Sequence, residues 1–98
     1  MVIPYDKIVH IVENYGNNHQ RFKAAEELSE LMTLVLQDAN DNGKGGKGRI
    51  IEEIADAYVV LKELEVIYGI DSRDLELVID FKIDRTINEM GDENNEWR

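Results

Sequence analysis

Three glutamates crowd into "EELSE": Glu26, Glu27 and Glu30. After a spacer of 22 residues, "EIAD" repeats the i, i+3 carboxylate spacing with Glu53 and Asp56. On a helix each residue advances about 100°, so acids three apart share a face. On that wheel Glu27 lies in line with Leu31 and Leu34, and Glu30 sits just before Leu34. Glu53 lines up with Ala57, Val60 and Leu64, and Asp56 with Val60 and Ile67. Each acidic couple thus heads a strip that soon turns aliphatic. Two such couples facing one another in a partly dry seam repel strongly, and they stay ionised only with cations between them. Oxygen donors completed by water suit Mg²⁺ or Mn²⁺. Helical proteins build such centres from inward-facing acids on adjacent helices.

The plainer reading of the same acids is a solvated helix face. Acidic pairs at i, i+3 recur as Asp38 with Asp41, Asp71 with Asp74, Glu89 with Asp92 and Glu93 with Glu96, because Asp and Glu supply 21 of 98 residues. Lys23, four residues before Glu27, can form an ordinary i, i+4 surface pair. Spacing alone does not separate the two readings. The stretch "LELVIDFKIDR" favours the first. There Lys82 falls on the line of Leu75, Val78 and Ile79, and Arg85 follows at i+7 from Val78. Basic groups ending an apolar strip either snorkel to water or hold phosphate oxygens.

Composition narrows the partners. A formal net charge of −10 argues against a nucleic-acid polymer, whose binding rests on Lys and Arg neutralising phosphates. A phosphate substrate therefore calls for a cation. Without cysteine there is no disulfide, thiolate metal site or cysteine nucleophile. No apolar run approaches bilayer length and "MVIPYDK" lacks a signal-peptide pattern, so a cytosolic chain without membrane attachment is expected.

The elements that must position these residues read as helices. "PYDKIVHIVENYG" spaces Ile8, Val9, Ile11, Val12 and Tyr15 helically, with Pro4 in the first turn and Gly16 as the stop. Asn17 or Asn18 is the expected cap of a second helix over His19 to Asp38, burying Phe22, Ala25, Leu28, Met32 and Val35. The glycine-rich "DANDNGKGGKG" reads as a loop. A third helix is expected over Arg49 to Tyr68, with Ile50, Ile54, Ala57, Leu61, Leu64 and Tyr68 on its main face and Gly69 as C-terminal cap. Asp71 or Ser72 opens a fourth helix reaching Met90, and the tail 91–98 reads as frayed and disordered. The expectation is one domain over 1–98, all-α, four-helix and bundle-like, small enough that self-association would help cover its apolar surface.

At these residues the chain resembles the MazG-like family of all-α nucleoside triphosphate pyrophosphohydrolases, whose mark is EExxE, a variable spacer and ExxD. "EELSE" and "EIAD" match that mark, "YGNNHQ" resembles the YG…Q entry of some phage and bacterial members, and Lys82-x-x-Arg85 is similar to the family's basic terminal helix. The resemblance spans roughly Tyr15 to Arg85. It implies a MazG-type fold completed by oligomerisation as a homodimer or homotetramer. It also implies Mg²⁺-dependent hydrolysis of a nucleoside triphosphate between the α and β phosphates, giving a monophosphate and pyrophosphate. Glu27, Glu30, Glu53 and Asp56 match the metal ligands, Glu26 is a further or outer ligand, and Glu26 or Glu30 would take the proton from the attacking water. Lys82 and Arg85 would clamp the pyrophosphate. Gln20, Tyr58 and Asn88 are the candidates for a base pocket. Where many members carry a further arginine after the Arg85 position, this chain has Glu89.

Other readings are weaker. "DANDNGKGGKGR" sets Asp38, Asn40, Asn42 and Gly43 at calcium-loop positions, but the position that needs a bidentate glutamate holds Arg49, and Gly45 replaces an aliphatic residue. "GKGGKG" lacks the Ser or Thr and the preceding strand of a phosphate loop, although Lys44 and Lys47 can attract an anionic substrate. His10, His19, Ser29 and Ser72 have no recognisable catalytic partner, and Trp97 stands in a polar tail as a conceivable anchor. The competing function is an acidic helical module that presents negative charge to a basic partner, indifferent to Mg²⁺.

Overall fold

In the computed structural model, which describes residues 2–43 and 46–96, the described residues form four helices and no strand. They are α1 (Tyr5–Tyr15), α2 (Asn17–Asn40), α3 (Lys47–Ile67) and α4 (Ser72–Glu96). No helix is long and apolar enough to cross a membrane among these residues.

The helix ends follow from backbone chemistry. Gly16 adopts φ 90°, a conformation that side-chain-bearing residues rarely take. Its N–H donates to the Val12 carbonyl at 2.7 Å, closing α1, while its own carbonyl accepts from the Gln20 N–H at 3.1 Å, opening α2. One glycine thus serves both helices. Asn17 and Asn18 lie inside α2 and give it no side-chain cap, contrary to the sequence expectation. At the far end α2 continues two residues beyond Asp38. Asn42 at φ 57° then lets Gly43 N–H donate to the Asp38 carbonyl and Asn42 N–H to that of Ala39, a Schellman closure. Asp38 and Asn40 are therefore helical, so the calcium-type loop does not form; Lys44 and Gly45 lie outside the described residues. Gly69 ends α3 as expected, with Ile70 N–H donating to Glu65 and Gly69 N–H to Val66. Asp71 caps α4 by accepting the Arg73 N–H at 2.7 Å.

α2 and α3 pack against each other and α1 lies against both. The core is small: Ile8 and Val12 from α1, Ala24 and Leu34 from α2, Ala57 and Val60 from α3. Ala24 and Ala57 keep the α2–α3 seam close, because neither extends beyond Cβ. Three polar side chains share this interior, Gln20, Glu27 and Glu63. Arg21 ties the outer end of the seam, its guanidinium over the Tyr68 ring at 5.1 Å and its Nε donating to the hydroxyl at 3.2 Å.

The buried strip of α2 is rotated from the expected one. Gln20, Ala24, Glu27 and Leu34 face inward, with Leu28 and Leu31 half-buried, whereas Phe22, Met32 and Val35 are exposed. On α3 Ala57 is buried as expected, but Ile54, Leu61 and Tyr68 are exposed and Val60 and Glu63 take their place. Both helices carry more apolar surface than a three-helix packing can cover. α4 stands apart. Among the described residues it makes no comparable packing with the other helices, and of those whose burial is described on it only Leu75 is half-buried; Leu77, Phe81, Ile83 and Ile87 are exposed. The radius of gyration is 17.1 Å, against about 13 Å for a compact chain of this size. α4 runs through Glu96; Trp97 lies outside the described residues.

Candidate metal centre

The α2–α3 seam sets its polar residues in antiparallel register. Gln20 meets Glu63, Glu27 meets Asp56, and Glu30 meets Glu53. Steps of seven and three forward on α2 match steps of seven and three back on α3. The register needs α2 to overhang. Glu30 lies ten residues before the end of α2 and Glu53 six after the start of α3, a difference of roughly 6 Å at 1.5 Å per residue. The connecting loop accommodates it within one chain.

At the middle of this seam Glu27, Glu30 and Glu53 each offer a carboxylate oxygen, all within 4.8 Å of one another. Lys23 Nζ pairs with Glu27 Oε1 at 2.9 Å, but Glu27 Oε2 and Glu53 Oε2 are buried without a hydrogen-bond partner. Buried carboxylate oxygens left unmatched are costly. A cation between them would remove that cost, so the donor set fits an oxygen-seeking divalent ion.

The charges leave their mark on the proton affinities. Glu30 is raised above the ordinary 4.5, first by the charge of Glu27, then by desolvation, then by Glu53 and Glu26. Asp56 is raised above 3.8 by desolvation at the seam and next by the Glu27 charge, with Lys23 acting the other way. Lys23 is itself raised by its hydrogen bond to Glu27. Glu27 is the hub of the group.

Of the four expected metal ligands, three converge and Asp56 lies on the far side of Glu27, outside the trio. Two clefts flank the cluster. Glu26, Glu27 and Asp56 line a cavity of about 650 Å³, while Glu30 and Glu53 line a smaller cleft with Arg49. Glu26 and Glu30 are both exposed and, four residues apart, lie one turn from each other on the same side of α2, Glu26 beside the larger cavity and Glu30 beside the smaller cleft. Gln20 is buried in the wall of the larger cavity, whereas Tyr58 and Asn88 are exposed and line neither cleft. Lys82 and Arg85 lie on α4, exposed, with Arg85 Nε paired to Glu89 Oε1 at 3.2 Å, and neither lines a cleft beside the carboxylates.

Two residues at this site escape the sequence reading. Glu63, 3% exposed, lies seven residues after Asp56 on the same strip, and Arg49 lies four before Glu53. The i+7 and i−4 steps from the ExxD pair are the signals that point to them. In comparisons with known proteins, the chain matches no family model, no curated protein and no solved structure.

Proposed function

We propose that this chain is a Mg²⁺-dependent nucleoside triphosphate pyrophosphohydrolase of the MazG-like all-α type, acting in the cytosol. The convergence of Glu27, Glu30 and Glu53 across one seam, with two buried oxygens left unmatched, is the observation that carries the reading. In the reaction a water attacks the α-phosphorus, the bond from that phosphorus to the bridging oxygen breaks, and pyrophosphate leaves with the electron pair. Glu27, Glu30 and Glu53 would hold the ion, with Asp56 beside Glu27. A divalent cation bound there supplies positive charge for the triphosphate and makes a water more acidic. Glu26 and Glu30, exposed one turn apart beside Glu27, are the carboxylates able to accept the water's proton.

Arg49 is the cation that the fold brings beside Glu30 and Glu53, so it is a candidate for holding phosphate oxygens. Lys82 and Arg85 join it only if a second copy brings α4 to the site. The exposed apolar residues of α2 and α4 support a homodimer or homotetramer, since one chain leaves them uncovered. The test is an assay of each dNTP with Mg²⁺, scored for monophosphate and pyrophosphate. Release of inorganic phosphate alone, or no turnover, would count against the proposal.

The exposed face of α4 also favours a second reading, an acidic helical module that docks a protein partner. It differs in requiring no Mg²⁺ and in being unmoved by Glu53→Gln.

A further inference from the structure

The two carboxylate oxygens of Glu27 have different surroundings. Oε1 accepts from Lys23 Nζ at 2.9 Å, whereas Oε2 is buried with no hydrogen-bond partner. Lys23 stands one turn before Glu27 on α2 and lines the larger cavity, so it holds Oε1 from that side. Glu27 itself is 9% exposed and contributes to the trio with Glu30 and Glu53. One oxygen of Glu27 is therefore occupied and the other is free.

That division matters because a carboxylate can give a cation one oxygen or both. Ca²⁺ takes roughly six to eight oxygens at about 2.3–2.6 Å, and carboxylates often supply two of them. Mg²⁺ demands a near-ideal octahedron at about 2.0–2.1 Å. The narrow bite of a chelating carboxylate fits that octahedron poorly, so one oxygen per carboxylate suits Mg²⁺.

We propose that Lys23 is a metal-selecting residue: by holding Glu27 Oε1 it confines Glu27 to one-oxygen ligation and shifts the α2–α3 centre toward Mg²⁺ and away from Ca²⁺. The inference rests on the metal centre of the pyrophosphohydrolase reading above. Mg²⁺ can take Oε2 and leave the Lys23–Glu27 pair intact. Ca²⁺ gains a second oxygen from Glu27 only by displacing Lys23. The Lys23 side chain is 45% exposed, so the pair is of modest strength and its leverage is a few-fold. The ammonium also repels any incoming cation. That repulsion is the same for two ions of equal charge and cancels in the ratio of their affinities.

The test is calorimetric titration of Mg²⁺ and of Ca²⁺, without nucleotide, into the wild type and three variants. Lys23→Met keeps the aliphatic stem and removes the ammonium, Lys23→Ala removes both, and Lys23→Arg restores a cation that can hold the same oxygen. Lys23→Met and Lys23→Ala should each move the ratio of the two dissociation constants toward Ca²⁺ by about threefold or more, and Lys23→Arg should stay near the wild-type ratio. Affinities that change equally for both ions, or a ratio that moves toward Mg²⁺, overturn the selecting role and leave the metal centre standing. A shift of the same size in Lys23→Arg overturns it too. No saturable binding of either ion to the wild type overturns the metal centre and the inference together.

Discussion

A carboxylate oxygen of Glu30 on α2 lies within 4.8 Å of one on Glu53 of α3, and Glu27 offers a third at the same range from both. Helices that approach this closely with like charges at the contact are held there by the rest of the seam, not by these residues. The first prediction follows. Without divalent ions Glu53→Gln should stabilise the chain by about 1 kcal/mol, or roughly 4–8 °C, by removing one charge from the group. With saturating Mg²⁺ the order should reverse, because the wild type gains the larger binding energy. Thermal melts with and without Mg²⁺ check both signs, and an equal Mg²⁺ gain in the variant would contradict the assignment.

The pH dependence has a definite sign. Glu30 and Asp56 hold protons more tightly in the folded chain than their ordinary 4.5 and 3.8. Over that interval the folded state binds more protons than the unfolded one, so stability falls as pH rises. The contribution of these two groups is complete below their ordinary values and lost as pH passes through the raised ones. Metal-free melts in steps down from neutral pH should therefore show the transition temperature rising before general acid unfolding sets in. Mg²⁺ should weaken that slope by holding the folded site ionised, since protons and metal compete for the same oxygens.

Arg49 and the Lys82–Arg85 pair make different predictions. Arg49 already lines the cleft with Glu30 and Glu53, so Arg49→Ala should lower kcat/KM by about tenfold or more in any assembly. Lys82→Ala should matter only where a second copy supplies α4. Steady-state kinetics of both variants, read beside their assembly size, separates the two sources of positive charge.

Leu77, Phe81, Ile83 and Ile87 are exposed on α4. Light scattering should find a dimer or larger species, and Phe81→Glu should shift it toward the monomer while the far-ultraviolet helical signal persists. A monomeric wild type would leave this apolar surface uncovered and would count against self-association.

Much of the fold was legible because local chemistry fixes it. Gly16, Gly69 and Asp71 mark helix ends through positive φ or a side-chain acceptor, and those signals are read in single residues. Which strip of α2 faces inward was not legible. Phe22, Met32 and Val35 are more apolar than Gln20 and Glu27, yet they lie outside, because the small Ala24 and Ala57 let the helices close on the other face. The acidic trio was readable from EExxE and ExxD only as spacing; its convergence depended on the register of the seam. Glu63 stayed hidden because one glutamate in so acidic a helix carries no signal until Gln20 is seen donating to it.

Titration calorimetry with Mn²⁺ on the wild type, Glu30→Gln and Glu53→Gln tests the account most directly. A saturable site is expected in the wild type, weakened at least about tenfold by either substitution, though the two residues stand on different helices. Absence of saturable binding, or binding that survives both substitutions in folded protein, would contradict a cation shared across the α2–α3 seam.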